Sequence, residues 1–138
     1  MNEIVENLFL GSAKDDYNQF NFDLIINCTK NIKNVHDLHK GQRIRLDLED
    51  SKEDNDKMLT YLSEITSIMH TVLKNGGKVL VHCQVGASRS PTVVAAYLIK
   101  YHNYSLIDAI RYIQSKREVA FFCNNIVFKD ALIAFSSA

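Results

Sequence analysis

The sequence predicts an α/β domain with a mostly parallel central sheet flanked by helices. Short apolar runs at 24–26 and 79–81 have the length and composition of buried strands. Segments with helical periodicity follow the second run, and such alternation of strands and helices is typical of layered α/β folds. The chain has 138 residues, enough for one domain with a core of its own. We therefore expect residues 1–138 to form a single domain.

The first half of the chain predicts strands joined by polar segments. Residues 4–10 predict a strand that is interrupted at Asn7, and residues 13–17 predict a short helical turn. Residues 29–41 predict a polar loop with one helical turn. Apolar and polar residues alternate over 43–48, which predicts a strand with one solvated face.

The second half predicts helices around the strand at 79–81. The first of them ends at Asn75-Gly76-Gly77, a typical helix C-terminus. Pro91 is compatible with a helix only in the first turn, and Ser105 with Asp108 resembles a capping pair. The predicted helices cover 58–73, 90–101, 105–116 and 126–135.

Composition excludes several classes of protein. Sixteen basic and sixteen acidic residues give a formal net charge of zero, which does not support bulk nucleic-acid or membrane binding. No stretch approaches the ~20 apolar residues of a membrane span, and the start of the chain has no signal-peptide pattern.

The short segment before Ile4 offers no helix for exchange between subunits, so we expect a monomer.

The three cysteines, Cys28, Cys83 and Cys123, are widely spaced and odd in number. This pattern argues against a disulfide framework and a zinc site, and for a reducing compartment. We expect a cytoplasmic protein, with the nucleus as an alternative, that needs no metal and no cofactor. Cys28 and Cys123 lie in apolar or mixed segments and are expected to be buried structural cysteines.

The chemistry is concentrated in KVLVHCQVGASRSPT, residues 78–92. A strand, a loop of small residues and a helix N-terminus form an anion-binding cradle, because the loop amides converge and the helix dipole adds positive potential. Cys83 lies at the mouth of this cradle. An anion site favours the thiolate form of a cysteine, and the thiolate is the nucleophile.

Four neighbours of Cys83 have roles that follow from their chemistry. The fork of Arg89 can hold two phosphate oxygens, and a cation at a helix start is disfavoured unless an anion is bound. Gly86 permits a sharp turn close to the ligand. Ser90 is a helix N-cap, a hydroxyl that donates to the Cys83 sulfur, or both. His82 is expected to be structural, because adjacent strand residues point to opposite faces.

Transfer of a phosphoryl group to sulfur requires an acid that protonates the leaving oxygen. The acidic segment after the strand at 43–48 can reach the same edge of the sheet as Cys83. The residues alone leave six candidates: Asp47, Glu49, Asp50, Glu53, Asp54 and Asp56.

The run from His82 to Ser90 matches H-C-x-x-G-x-x-R-[ST], the motif of protein tyrosine phosphatases, and residues 91–98 resemble the following helix of small dual-specificity phosphatases. Residues 7–12 are similar to the family's opening N-L-Y-L-G-S. The family's closing pattern is matched by Asn125, Phe128, Leu132 and Phe135. Asn124 and Ala131 depart from that pattern, where the family has proline and glutamine.

The resemblance implies a dual-specificity phosphatase fold and hydrolysis of phosphotyrosine and phosphoserine or phosphothreonine in proteins. It implies that Cys83 forms a cysteinyl phosphate and that Asp50, with Asp47 as the alternative, is the general acid. Arg89 and the loop amides are then expected to hold the phosphate oxygens. The loop residues concerned are Gln84, Val85, Gly86, Ala87 and Ser88.

Two alternatives keep this fold. The first is a non-catalytic phosphopeptide-binding module, against which the presence of Cys83, Arg89 and an acid argues. The second is the same chemistry on phosphoinositides or RNA 5′-phosphate ends. The loop at 84–88 contains no lysine and the chain is not basic, so phosphoproteins are the expected partners, with no nucleic acid and no membrane.

Overall fold

The computed structural model describes residues 1–33 and 41–138. In these ranges the chain forms five strands and four α-helices, with short 3₁₀-helices at Lys52–Asp54 and Phe122–Asn124. The strands are β1 (Asn2–Val5), β2 (Leu8–Ser12), β3 (Leu24–Asn27), β4 (Gln42–Arg45) and β5 (Val79–Cys83). The helices are α1 (Asn55–Lys74), α2 (Arg89–Tyr101), α3 (Leu106–Lys116) and α4 (Lys129–Ser136).

The strands form one sheet in the order β1-β2-β5-β3-β4. Only β1 and β2 are antiparallel, and the other three pairs are parallel. The predicted mostly parallel sheet flanked by helices is therefore confirmed. Every residue of the central strand β5 is buried, which explains why the strand begins with the continuous apolar run 79–81 rather than with an alternating pattern.

The two faces of the sheet are covered differently. The larger core contains buried residues from all four helices, and α2 is buried from Ser90 to Leu98. The opposite face is covered by aromatic side chains of the segment between β2 and β3, where Tyr17 and Phe22 pack on Ile25 and Leu80. The carboxyl ends of the three inner strands meet at one edge of the sheet, where parallel sheets place their binding sites.

Several predicted boundaries are wrong for identifiable reasons. The strand predicted at 4–10 is a hairpin, because Asn7 adopts a positive φ of 66° between β1 and β2. Residues 13–17 are not helical, since the Asp15 carboxylate accepts the Ser12 N–H at 3.0 Å and holds a turn instead.

Other elements are shifted rather than absent. The edge strand β4 ends at Arg45, three residues before the predicted end, and α4 begins three residues after the predicted Ile126. The predicted helix end at Asn75-Gly76-Gly77 is confirmed, with Gly76 at a φ of 82°. The helical turn predicted within 29–41 falls largely on residues 34–40, which lie outside the described residues. In the described part of the chain, no helix has the length and hydrophobicity that a membrane crossing requires.

Candidate active site

Cys83 ends β5 and lines a cavity of about 310 Å³. Its Sγ lies 3.1 Å from the Oγ of Ser90 in the first turn of α2. Ser88, not Ser90, occupies the N-cap position, so the N-cap hypothesis for Ser90 is wrong and its hydroxyl faces the sulfur. The cavity is lined by Asp50, Cys83, Gln84, Val85, Ala87, Ser88, Arg89, Val119 and Phe122.

The carbonyl groups of the loop between β5 and α2 all bond to protein outside the cavity. Five consecutive carbonyls accept hydrogen bonds from backbone or side-chain donors in other segments or in α2. The pairs are Ala13 N–H to Gln84 (3.0 Å), Arg117 to Val85 (2.6 Å) and Gly86 (3.0 Å), Phe121 N–H to Ala87 (2.7 Å), and Thr92 N–H to Ser88 (3.1 Å).

This outward bonding determines where the amide groups point. The C=O and N–H of a trans peptide unit point in opposite directions, and the chain has no cis peptide bonds among its described residues. The N–H groups of residues 85–89 are therefore directed towards the cavity. In the described structure, no protein acceptor takes a hydrogen bond from the amides of 85–88, so these donors are free for an anion.

Both the backbone turn and the close packing of neighbouring atoms require a glycine at position 86. Its φ is 78°, and a Cβ at this position would lie 2.6 Å from the carbonyl oxygen of Gly11 and 2.7 Å from Nε of Arg117. The expected sharp turn is present. The sequence did not indicate that β2 and Arg117 close against this side of the loop.

Arg89 joins the loop to the acidic segment. Its Nη1 donates a hydrogen bond to the carbonyl oxygen of Leu48 at 3.0 Å. Its Nε is buried and has no hydrogen-bond partner among the described residues. Buried donors are almost always satisfied, so this one is well suited to a phosphate oxygen in the cavity.

The structure separates the two aspartates that the family resemblance left open. Asp50 lines the cavity with Cys83. Asp47 instead forms an ion pair with Lys57 on α1 at 3.2 Å, and this hydrogen bond raises the pKa of Lys57. Asp54 accepts the Glu49 N–H at 2.8 Å. Of the six acidic candidates, Asp50 alone lines the cavity.

His82 is buried on β5 and lies on the side of Tyr17, with ring centroids 6.5 Å apart. Its Nδ1 is 3.4 Å from the Cys83 carbonyl oxygen. Burial lowers the pKa of His82 to about 4, Arg45 adds to the lowering, and the hydrogen bond to the Cys83 carbonyl opposes it. A histidine that is neutral and enclosed in this way fits the predicted structural role rather than that of a general base.

The other two cysteines differ in environment. Cys28 is fully buried as expected, and its N–H donates to the His82 carbonyl at 2.8 Å. Burial raises the pKa of the Cys28 thiol well above its usual value, and the nearby Cys83 adds to the effect. The prediction that Cys123 is buried is wrong. Cys123 is exposed, in a turn where its φ is 56°.

The sequence did not single out Arg117, Val119 or Phe122, although Val119 and Phe122 line the cavity and Arg117 bonds its loop. Arg117 is the C-cap residue of α3 and lies 31 positions from Gly86, to whose carbonyl it donates a hydrogen bond. No local spacing pattern connects residues so far apart, and a basic residue at a helix C-terminus is already explained by the helix dipole. The sequence does not mark Phe122 as a residue of the site, because an aromatic residue in an irregular segment usually belongs to the core.

Comparisons with known proteins identify the family of this chain. A family model described as dual specificity phosphatase, catalytic domain, matches residues 8–138. "Putative tyrosine phosphatase 123R" of Invertebrate iridescent virus 6 is 37% identical over 121 residues, which cover 86% of this chain and 81% of that protein. Dual specificity protein phosphatase 1 of Arabidopsis thaliana is 34% identical over 125 residues, covering 85% of this chain but 60% of its own length.

Solved structures show the same fold. The crystal structure of human DUSP28 superposes with a TM-score of 0.88 at 24% identity, covering 99% of this chain and 96% of that one. At this identity the likeness is one of architecture. The site must therefore be judged from the side chains present here.

Proposed function

Because this chain belongs to the family of dual specificity phosphatase catalytic domains, we propose that Cys83 is the nucleophile of its cysteine-dependent phosphatase reaction. Members of this family are protein phosphatases, and their substrates are phosphoproteins. The observation that carries the assignment is the position of the Cys83 sulfur, in a cavity towards which the free amides of the loop point. The thiolate is stabilised there by the Ser90 hydroxyl at 3.1 Å and by the start of α2.

In the first step, the Cys83 thiolate attacks phosphorus in line with the leaving oxygen. A phosphorus–sulfur bond forms, the phosphorus–oxygen bond breaks, and the leaving oxygen takes a proton from the Asp50 carboxyl group. The equatorial oxygens receive hydrogen bonds from the loop amides and from Nε of Arg89, which has no partner in the described structure. These donors are fixed before the substrate arrives, so little reorganisation accompanies the reaction.

In the second step, water attacks the cysteinyl phosphate from the side that the product alcohol or phenol has left. Asp50, now a carboxylate, accepts a proton from this water. The phosphorus–sulfur bond breaks, and the Ser90 hydroxyl stabilises the sulfur as it becomes a thiolate. Inorganic phosphate then leaves and the enzyme is restored.

Phosphotyrosine and phosphoserine or phosphothreonine in proteins are the proposed substrates. Asp50 and Arg89 are the charged side chains that line the cavity. Among the described residues, no lysine lines the cavity to bind the further phosphates of a phosphoinositide, and the formal net charge of zero does not support RNA binding. We further propose a monomer that acts inside the cell without a nucleic-acid or membrane partner.

The test is hydrolysis of p-nitrophenyl phosphate by the purified protein and its Cys83→Ser variant. We expect turnover by the first and none by the second. The matched control is Cys123→Ser, which changes an exposed cysteine that does not line the cavity and is expected to retain activity. A wild-type protein that releases no phosphate anywhere between mildly acidic and neutral pH contradicts the assignment. A panel of phosphopeptides, phosphoinositides and 5′-phosphorylated RNA then separates the substrate classes.

A further inference from the structure

The rim of the active-site cavity is apolar. Across the described residues, five large hydrophobic side chains are exposed, and three of them line the cavity that contains Cys83. They are Val85 at 54% exposure, Val119 at 37% and Phe122 at 68%. Exposed apolar side chains that are grouped in this way mark binding surfaces, whereas single ones need no explanation.

The turn that carries Phe122 is held in an unusual conformation. Phe121, Cys123 and Asn124 have φ values of 52°, 56° and 56°. Non-glycine residues rarely adopt positive φ, and they do so together only where the surroundings impose it. The turn is therefore a built feature of the site.

Contacts on both sides fix this turn to the catalytic loop. The N–H of Phe121 donates to the carbonyl of Ala87 at 2.7 Å, and the Phe121 side chain is buried. The side-chain amide of Gln114 donates to Oδ1 of Asn124 at 3.0 Å. Phe122, between these anchors, is thus presented to solvent at the mouth of the cavity by a turn bonded to the phosphate-binding loop.

Resting on the proposed function, we propose that Val85, Val119 and Phe122 contact the aromatic ring of phosphotyrosine and make it the preferred substrate residue. A phosphotyrosine whose phosphate lies among the loop amides must place its ring in the mouth of the cavity, beside these three side chains. Phosphoserine and phosphothreonine bring only a β-carbon and at most one methyl group to the same place. Ring–ring contact with Phe122 adds attraction beyond the buried area.

The decisive measurement compares two peptides that differ only in the central residue, phosphotyrosine or phosphothreonine, with flanking alanine, serine and glutamate. In Phe122→Ala, the ratio of kcat/KM for the phosphotyrosine peptide to that for the phosphothreonine peptide is expected to fall by about three- to tenfold. The ratio is used because phenol is intrinsically the better leaving group. For Phe122→Leu, which keeps an apolar side chain, we expect a ratio between those of the wild type and Phe122→Ala.

Ile107→Ala is the matched control, because Ile107 is 60% exposed on α3 and does not line the cavity. We expect it to leave the ratio unchanged. An unchanged ratio in Phe122→Ala overturns the proposal, including the case in which both substrates decline equally. The Kd values of both peptides are also measured in a Cys83→Ser background, where the peptides bind without turnover. The ratio of these Kd values tests the rim independently of catalysis, and so separates failure of this proposal from failure of the proposed function.

Discussion

Replacement of Arg117 by methionine tests whether the direction of the loop amides is maintained from outside the loop. The Arg117 guanidinium donates to the carbonyls of Gly86 and Val85 and, through Nη1, to the Asn2 side chain at 2.9 Å. Methionine keeps much of the apolar stem but donates no hydrogen bond. Two adjacent peptide units then lose the partners that hold their N–H groups towards the cavity.

The size of the effect follows from these two bonds. A hydrogen bond from a charged donor contributes about 1.5–3 kcal/mol. The bond to Val85 is exposed and the bond to Gly86 is only partly buried, so water replaces part of this contribution. We therefore expect a loss of about 2 kcal/mol in transition-state stabilisation, which is about a thirtyfold decrease in kcat/KM.

The assay combines steady-state kinetics on p-nitrophenyl phosphate with the inhibition constant of vanadate, an oxyanion that probes the cradle directly. We expect kcat/KM to fall and the inhibition constant of vanadate to rise together, because both depend on the same amides. Arg111→Met is the matched control, since it removes the same charge from an exposed position of the same helix. Normal kinetics and normal vanadate inhibition in Arg117→Met, with a wild-type Tm, would refute the proposed outward anchoring of the loop.

Two further predictions concern protons. Asp50→Asn should lower turnover about a hundredfold or more and remove the basic limb of the pH–rate profile, because the general acid is lost. Asp47→Asn should keep that limb. The reverse result would assign the general acid to Asp47. The pKa of His82 is about 4 in the folded protein and about 6.5 when unfolded, so the unfolded state binds more protons between these values and stability falls as the pH drops through that window. Urea unfolding at pH 7 and pH 5 should show a loss of about 2 kcal/mol more in the wild type than in His82→Gln, and equal losses would exclude a neutral His82 in the folded state.

The sequence is most informative where the determinants are local. The strand at 79–83 and the helices α1 and α2 follow from apolar runs and periodicity, and all three are predicted to within a few residues. The loop between β5 and α2 is also local, so the sequence alone singles out Cys83, Gly86, Arg89 and Ser90 as candidate site residues. Even the wrong N-cap hypothesis for Ser90 differs from the structure by only two positions.

Prediction fails where particular side-chain contacts, near or distant in the chain, decide the outcome. The helical turn expected at 13–17 is replaced by a turn that Asp15 and Tyr17 hold through bonds to the Ser12 backbone. Asp47 and Asp50 differ in environment, because Lys57 near the start of α1 forms an ion pair with Asp47, whereas Asp50 lines the cavity. Neither effect has a periodic or compositional signal in the sequence.

The contacts that the sequence does not reveal have a chemical role at the loop between β5 and α2. They come from Arg117, Phe121 and Ala13. The motif at 82–90 supplies the sulfur, the guanidinium and the amides, but the orientation of those amides depends on donors in three other segments. An electrostatic site stabilises a transition state only if its dipoles cannot turn away when the anion is absent. Because Ala13, Arg117 and Phe121 hold four successive loop carbonyls on the outside, the free amides face the cavity from the moment the chain has folded. A short motif therefore contains the proposed reacting atoms, while contacts from the remainder of the domain hold the loop that carries them.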